Sequence, residues 1–545
     1  MYKLKTIRSA VVFCLILVMC LHWKNAFSQV NEEWFRTYTG GFDPNLLNDF
    51  TIDSSGNSYL VGDVSLNPSE SRSAFGTVKY NSGGKLQWAN LFTGSQMGLS
   101  YAEAVVIYNT GNVYVTGTTY DTDSSENYCT IKFHSDGEIE WVRKFQAFPG
   151  SRDFATDLCM DNNGYIYVTG YTYGLDSEFI NTVKYDPTGE IIWVAGNLNG
   201  NKNLRTKFVA ADNSGNVFIS GYLSGKICTV KYNSSGHQQW VSFFDNPDLN
   251  DVTTDLKLDE NGNVYVLSRN FEGGFFDDYY TSLVKYDNSG NEIWHYRTDS
   301  TGYFDNYYKI TMSFQIDQTG NVYFATCYNR GISLIKLNSN GDELWNAKYK
   351  DYPTYYNIQG NAVEIDKEGS IYVNGSASKP PQSEEFITLK FDSDGILKWI
   401  RYARSNKPSG DESAFINVDN SGNVYVAGIA YNFFIELSFG VVKYSQSVGI
   451  TNISNEIPSA FNLYQNYPNP FNPVTKIQYE ILASGFVELK VYDVLGKEVI
   501  TLVNEDQNAG KYETEFGGAD LPGGLYFFKL TSGNYSQTKK MLLVK

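Results

Sequence analysis

The sequence predicts an all-β protein in which an eight-bladed β-propeller is followed by a small Ig-like β-sandwich. Two observations carry this prediction. One short segment recurs eight times between Trp34 and Tyr444, and its copies alternate apolar residues as strands do. After Tyr444 the repeat stops, and seven strand-like runs separated by turn residues follow. No repeat shows a 3.6-residue apolar period, which excludes a helical solenoid.

The clearest copy of the repeat is VDNSGNVYVAG, residues 418–428. Val424 and Val426 fall on one face and Tyr425 on the other, which predicts a strand. The Asp-x-x-Gly before it predicts a turn, because Asp caps its own backbone and Gly tolerates a positive φ. A short apolar stretch upstream completes a hairpin. The other copies end at Gly62, Gly117, Gly170, Gly221, Ser268, Thr326 and Gly375.

Two more strands follow each hairpin, and their register is tight. A third strand carries a lysine, and a fourth begins at a tryptophan nine residues later, with a glycine four residues before the tryptophan. Successive tryptophans are 47–54 residues apart. Four short antiparallel strands at this period are typical of one propeller blade. The lysines are Lys79, Lys132, Lys184, Lys231, Lys285, Lys336, Lys390 and Lys443.

This repeat resembles the bacterial β-propeller repeats of the SBBP type and, more loosely, those of the NHL type. Trp34 precedes the first hairpin, whereas the last set of three strands, ending at Tyr444, has no tryptophan after it. The sequence therefore predicts that the N-terminal strand completes the eighth blade. Closure of this kind prevents terminal blades from exposing their apolar faces.

Residues 1–28 are predicted to be a secretory signal peptide. Lys3, Lys5 and Arg8 precede an apolar run over residues 10–21, and residues 26–28 give a small-x-small cleavage pattern. The run is too short for a membrane anchor of about 20 residues, and no transmembrane segment is expected in the mature chain. Cleavage removes four cations and no acid, so the net charge goes from −17 to −21. Such acidity disfavours nucleic acid as a partner.

The cysteines do not predict a disulfide framework or a zinc site. Four remain after residue 28, and none forms a CxxC pair. The four are Cys129, Cys159, Cys228 and Cys327. Cys129 and Cys228 occupy the same slot, three residues before the repeat lysine, and are predicted to be small apolar side chains buried in strands.

The domain organisation is a propeller over residues 29–446, a polar linker over 447–457 and a β-sandwich over 458–545. The last segment contains YPNPFNP at 467–473, VYDVLG at 491–496, LPGGLY at 521–526 and a basic C-terminal run from Lys539. It resembles the type A C-terminal sorting domain of the type IX secretion system. The resemblance implies that the secretion machinery is a partner, and that the protein is exported through the periplasm and outer membrane to the cell surface or medium.

A candidate binding site lies in the long loops on one face of the propeller, because loops on a rigid scaffold commonly carry function. Three consecutive connections place aromatic residues beside carboxylates, a combination that suits stacking on sugar rings and bonding to their hydroxyls. Packing of these side chains against one another is the alternative. The candidate residues are Phe275, Phe276, Tyr279, Tyr280, Tyr303, Tyr307, Tyr308, Tyr352, Tyr355 and Tyr356.

The repeated lysine and the turn aspartate are predicted to be structural, with Lys contacting a polar group of its own blade, such as that Asp. Calcium binding by the turn aspartates is the alternative, but the DxDxDG series and its distal Glu are missing. No cofactor is predicted.

The chain contains neither HExxH nor GxSxG, so the leading hypothesis is a non-enzymatic binding or adhesion protein, with a glycan as the candidate ligand and a surface protein as the other possible partner. The alternative is a secreted polysaccharide-active hydrolase or lyase on the same scaffold, since paired carboxylates in the loops would suffice.

Overall fold

The architecture is all-β in a computed structural model of the chain. The structure describes residues 30–67, 72–94, 99–108, 111–120, 125–174, 178–196, 204–223, 225–245, 250–271, 279–298, 312–355, 357–379, 383–405, 410–431, 437–446, 451–454, 458–518 and 521–545. The predicted signal peptide lies outside these ranges. Within them the chain forms strands without an α-helix, and so without a helix of the length and apolarity that crossing a membrane requires.

The chain divides into two compact units, one over Glu32–Lys443 and a C-terminal unit formed mainly by Tyr444–Lys545. In the first unit the strands are β1 Val30–Tyr38, β2 Phe42–Ile52, β3 Ser58–Asn67, β4 Arg72–Tyr80, β5 Leu86–Phe92, β6 Ser100–Ile107, β7 Val113–Tyr120, β8 Glu126–Phe133, β9 Ile139–Phe145, β10 Arg152–Met160, β11 Ile166–Tyr173, β12 Glu178–Tyr185, β13 Ile191–Gly196, β14 Leu204–Ala211, β15 Val217–Leu223, β16 Lys226–Tyr232, β17 Gln238–Phe244, β18 Asn250–Leu258, β19 Val264–Phe271, β20 Tyr279–Tyr286, β21 Glu292–Arg297, β22 Phe314–Ile316, β23 Val322–Tyr328, β24 Gly331–Leu337, β25 Glu343–Tyr349, β26 Asn357–Ile365, β27 Ile371–Lys379, β28 Ser383–Phe391, β29 Leu397–Ala403, β30 Gly410–Val418, β31 Val424–Tyr431 and β32 Leu437–Gln446.

These strands form eight four-stranded antiparallel sheets in the described part of the unit, here called repeat sheets one to eight. Sheets one to seven each use four consecutive strands, from β2–β5 to β26–β29. Sheet eight has the order β1-β32-β31-β30, so the N-terminal strand completes the last sheet as the sequence predicts. Sheet eight also contacts sheet one, since the Trp34 indole and the Lys443 ammonium both donate to the Ser82 carbonyl, at 3.2 and 3.0 Å.

The core lies between neighbouring sheets. The cluster between sheets one and two, for example, combines Tyr59 and Phe75 with Val115 and Ile131, all fully buried. Each sheet thus buries apolar faces against the next, and the apolar alternation of every repeat is satisfied by its neighbour rather than within the repeat. Cys129, Cys228 and Cys327 are buried in these strands, and the four described cysteines are free thiols.

Seven of the eight repeat tryptophans, from Trp34 to Trp345, pack on the turn glycine of the following sheet. The Trp240 indole lies against Gly290, where a Cβ would come within 2.6 Å of the ring and where φ is +86°. Its Nε1 donates to the Asn288 carbonyl at 3.0 Å, and the Lys231 ammonium donates to the same oxygen at 3.2 Å. The glycine four residues before each tryptophan from Trp88 to Trp399 therefore contacts the tryptophan of the preceding sheet, a role that spacing within one repeat does not reveal.

The repeat lysine also contacts an aromatic ring of its own sheet. Lys79 faces Tyr59 across the strand pair, with the ammonium 5.1 Å from the ring centroid, and the Tyr59 hydroxyl donates to Asp53 at 3.0 Å. In all eight sheets the corresponding lysine is 4.8–5.6 Å from the ring it faces. Burial lowers the pKa of the Lys79 ammonium, and the Asp53 carboxylate opposes that shift.

The predicted Lys–Asp contact is present in two sheets. Lys285 lies 3.9 Å from Asp259, and Lys390 lies 3.8 Å from Asp366. Lysine, tyrosine and turn aspartate thus form one network within a sheet, while the lysine hydrogen bond to the next sheet is a contact that the sequence did not predict.

The C-terminal unit has two four-stranded sheets that share one apolar core. Their orders are β33-β38-β35-β34 and β37-β36-β39-β40. Part of the predicted linker is a strand, because Thr451–Ser454 pairs with β38 and extends the edge of the first sheet. The strands are β33 Thr451–Ser454, β34 Asn462–Leu463, β35 Val474–Ile481, β36 Gly485–Tyr492, β37 Glu498–Gln507, β38 Gly510–Gly517, β39 Gly524–Ser532 and β40 Tyr535–Leu543.

Candidate functional site

A cavity of about 490 Å³ lies where the first strands of the eight repeat sheets converge. Every repeat sheet contributes to its wall, mostly through the first strand, with additions from the second strand in sheets two to four. The volume lies in the range of small-ligand sites. It is therefore the candidate functional site, here called the central cavity.

A β-bulge in the first strand of the sheets aims one side chain at the cavity. The strand pairing skips Asn48 in sheet one, Glu103 in sheet two, Thr156 in sheet three and Lys207 in sheet four, and all four line the cavity. A bulge leaves one residue outside the ladder and redirects it. The cavity lining is consequently set at a position where the repeats differ from one another.

The glycine that ends most repeat copies makes room for this bulge. A Cβ at Gly62 would lie 1.9 Å from the Leu46 carbonyl oxygen, and one at Gly170 would lie 2.0 Å from that of Phe154. These glycines sit opposite the bulge in the strand pair. The repeated glycine is thus the sequence signal that points to the cavity-lining residues, which are not among the site residues predicted from the sequence.

Three aspartates join adjacent sheets around the cavity. One oxygen of Asp157 accepts from the Leu158 N–H and the other from the Val209 N–H of the next sheet, both at 2.8 Å. Asp49 and Asp255 repeat this arrangement in sheets one and five. Burial raises the pKa of Asp157 well above its usual value, and the backbone hydrogen bonds oppose this shift.

An aromatic pair forms the wall at sheet three. The rings of Phe154 and Tyr171 stack at 5.3 Å between centroids with 19° between their planes, and both side chains line the cavity. Tyr173 meets both rings edge-on. The Arg205 guanidinium lies 5.4 Å from the Tyr171 centroid and pairs with Glu178 through two hydrogen bonds of 2.9 and 2.7 Å. The cavity wall therefore contains a stacked aromatic pair with a guanidinium beside each ring.

The side chains that could serve metal or nucleophilic chemistry were located among the described residues. The described residues contain no group of three or more His, Cys, Asp and Glu side chains able to hold a metal ion. The turn aspartates, for which calcium was the alternative, are engaged locally: Asp53 accepts from the Ser55 and Asn57 N–H groups, the Asn57 amide and the Tyr59 hydroxyl. Neither His nor Cys is found in the described lining of the cavity.

The predicted aromatic loop patch is described in part. Tyr355 is buried, stacks on Tyr402 at 4.4 Å and donates to Glu385 at 2.6 Å, so its ring is committed to packing. Tyr352 is 74% exposed. Tyr280 lies under the Arg297 guanidinium at 3.9 Å, and Tyr279 opens β20. The remaining candidates lie outside the described residues: Phe275, Phe276, Tyr303, Tyr307, Tyr308 and Tyr356.

Family models match a segment in each of the two units. Residues 465–545 match the secretion system C-terminal sorting domain, and residues 140–176 match the SBBP β-propeller repeat. The chain thus carries an SBBP-type β-propeller repeat and a secretion sorting domain. Its type IX sorting domain indicates an extracellular or cell-surface location, and both predicted resemblances are confirmed.

Comparison with individual proteins gives distant matches. No curated protein matches the chain. Among solved structures, a fungal alcohol oxidase in complex with copper is 11% identical, with a TM-score of 0.39 over 95% of this chain and 100% of the other. An ulvan lyase of a new polysaccharide lyase family is 10% identical, with a TM-score of 0.40 over 69% and 97%. A protein of unknown function from Bacteroides caccae is 12% identical, with a TM-score of 0.28 over 48% and 83%.

Proposed function

We propose that this exported protein binds carbohydrate in the central cavity. In this proposal an eight-bladed propeller over residues 29–446 presents the cavity, and residues 447–457 connect it to an Ig-like sorting domain over residues 458–545. The observation that carries the proposal is the stacked pair of Phe154 and Tyr171 on the cavity wall. A pyranose ring has an apolar C–H face that packs on such a ring, while its hydroxyls need nearby polar partners.

The polar lining supplies those partners. Glu103 adds a carboxylate, and Arg205 and Lys207 add cations at sheet four, while the Asn48 amide and the Thr156 hydroxyl already donate to backbone carbonyls. A cavity with a few polar groups around an aromatic wall favours a small, hydroxyl-rich ligand such as the end of a glycan chain.

Binding is favoured over hydrolysis by the state of the cavity aspartates. Asp49, Asp157 and Asp255 each accept two backbone hydrogen bonds, so these carboxylates stabilise the contacts between sheets. A glycosidase needs one carboxyl group to donate a proton and a second to act as nucleophile or base. A secreted hydrolase or lyase remains the alternative function, and product analysis separates the two.

The test is a glycan array probed with the chain from residue 29 onward, with and without calcium. Phe154→Ala should weaken binding of the best ligand by about 10-fold, since an aromatic contact contributes roughly 1.5 kcal/mol beyond buried area. Phe148→Ala is the matched control, because Phe148 is an exposed aromatic residue just before the same strand and lies outside the cavity lining. Equal losses of affinity in both variants would exclude the cavity as the binding site. Turnover of the ligand would instead show that the protein is an enzyme.

A further inference from the structure

A second surface lies on repeat sheet six, at the hairpin between β23 and β24 and the end of β25. It comprises Tyr328, Arg330, Lys348, Lys350 and Tyr352, here called the basic–aromatic patch. The ammonium groups of Lys348 and Lys350 lie 3.8 and 4.9 Å from the Tyr328 ring centroid. All five residues are exposed, and none lines the central cavity.

The cations of this patch are not neutralised by acids in the described chain. No ion pair joins Arg330, Lys348 or Lys350 to a described carboxylate, and Asp351, next in sequence, accepts a hydrogen bond from Tyr402 at 3.0 Å. Some exposed cations on other sheets are paired. Lys226, for example, lies 2.6 Å from Asp245. In a chain of net charge −17, three such cations on one edge form a local positive surface.

The backbone at the hairpin tip supports a role for Arg330. Tyr328 pairs with Gly331, so Asn329 and Arg330 form a two-residue turn with φ of +44° and +64°. These are the only residues other than glycine with positive φ in the described chain. Glycine is the residue that such a turn favours at its second position. Backbone strain at an exposed arginine is the kind of outlier found at ligand-binding segments.

We propose that the basic–aromatic patch binds an anionic polysaccharide, separately from the central cavity. The three cations pair with carboxylate or sulfate groups along the polymer, and Tyr352, 74% exposed, offers its ring to the sugar faces. Export determines which polyanions the protein meets, and these are extracellular ones. The proposal rests on the export of the protein and does not depend on what the cavity binds.

The test is binding of the full exported chain to immobilised alginate, dextran sulfate and uncharged dextran at increasing NaCl. Binding should be confined to the charged polymers and should fade above about 0.3 M salt, where the Debye length falls to about 5 Å. Lys348→Gln with Lys350→Gln should weaken it about 10-fold. The matched control is Lys85→Gln with Lys226→Gln, which changes the net charge equally on other sheets and should leave binding within about twofold.

Arg330→Gly separates a binding role from a structural one. It should weaken binding and at the same time raise the thermal midpoint, because glycine relieves the strained turn. A lowered midpoint with unchanged binding would overturn the proposal, as would equal losses in the control pair or equal binding to uncharged dextran. Equal affinity for double-stranded DNA would overturn the assignment to polysaccharide. Loss of binding in Phe154→Ala would show that the two surfaces are one site.

Discussion

Replacing Trp34 with alanine tests whether the N-terminal strand locks the array of repeat sheets. Trp34 belongs to sheet eight, yet its indole packs on Gly84 of sheet one and donates to the Ser82 carbonyl. The side chain is only 7% exposed. Its loss should therefore weaken the contact between the first and last sheets, which joins the two ends of the repeat array.

The expected change in thermal midpoint follows from the burial of Trp34 and the size of the repeat unit. Replacing a buried tryptophan with alanine costs roughly 3–5 kcal/mol. The repeat unit spans about 410 residues, and an unfolding entropy near 2.1 cal/mol/K per residue gives about 0.9 kcal/mol/K for the whole unit. The thermal midpoint of Trp34→Ala should then fall by about 3–6 °C.

Tryptophan fluorescence follows this transition selectively. After residue 28 every tryptophan of the chain lies between Trp34 and Trp399, so the C-terminal unit does not contribute. Trp193→Ala is the control, because Trp193 makes the same contacts, with Gly236 and the Ser234 carbonyl, inside the array. Only Trp34→Ala should also expose the N-terminal strand to proteolysis. A midpoint within about 1 °C of the parent protein would refute the locking role.

Two further predictions concern single positions. Gly290→Ala should destabilise the repeat unit more than Gly422→Ala, as measured by the same fluorescence melts. Both glycines have positive φ, but of the two only Gly290 lies against a ring, that of Trp240. Equal decreases in the thermal midpoint would argue against a stabilising contact between Gly290 and Trp240. Burial raises the pKa of Asp411 to about 6 from a usual value of 3.8, so its charging opposes folding as pH rises from about 4 to 6. The free energy of unfolding of Asp411→Asn, measured by denaturant melts, should therefore rise by about 2–3 kcal/mol relative to that of the parent protein between pH 4 and pH 7. A difference in unfolding free energy that does not change with pH would contradict this.

Much of the fold follows from the sequence because its signals are local. The alternation around Tyr425 and the Asp-x-x-Gly turn at Asp419 depend on neighbouring residues alone, and the structure places strand and turn there. The sequence also predicted that Trp34 belongs to sheet eight, because the last repeat lacks a fourth strand and one additional strand precedes the first repeat. For the repeat lysine the sequence predicted the contact within its own sheet but not the hydrogen bond to the next sheet. That bond reaches a carbonyl more than 50 residues away, as from Lys79 to Ser135.

The candidate site followed much less from the sequence. Aromatic side chains in loops suggested a binding patch, but burial of Tyr355 depends on Tyr402 and Glu385 from other strands. The pair of Phe154 and Tyr171 was not singled out, because in a linear sequence each is one more half-buried strand residue.

The sequence by itself determined the strands, their period, the position of the N-terminal strand and the sorting domain that sends the protein out of the cell. The strands, their period and the sorting domain depend on alternation, turn residues and motifs that lie within a few tens of residues, and the position of the N-terminal strand follows from comparing the two ends of the repeat array. Only the tertiary structure decided which side chains meet in the central cavity and which cations stay unpaired at the basic–aromatic patch. Both depend on bulges, strained turns and contacts between sheets, and these arise when residues distant in sequence share one packed space.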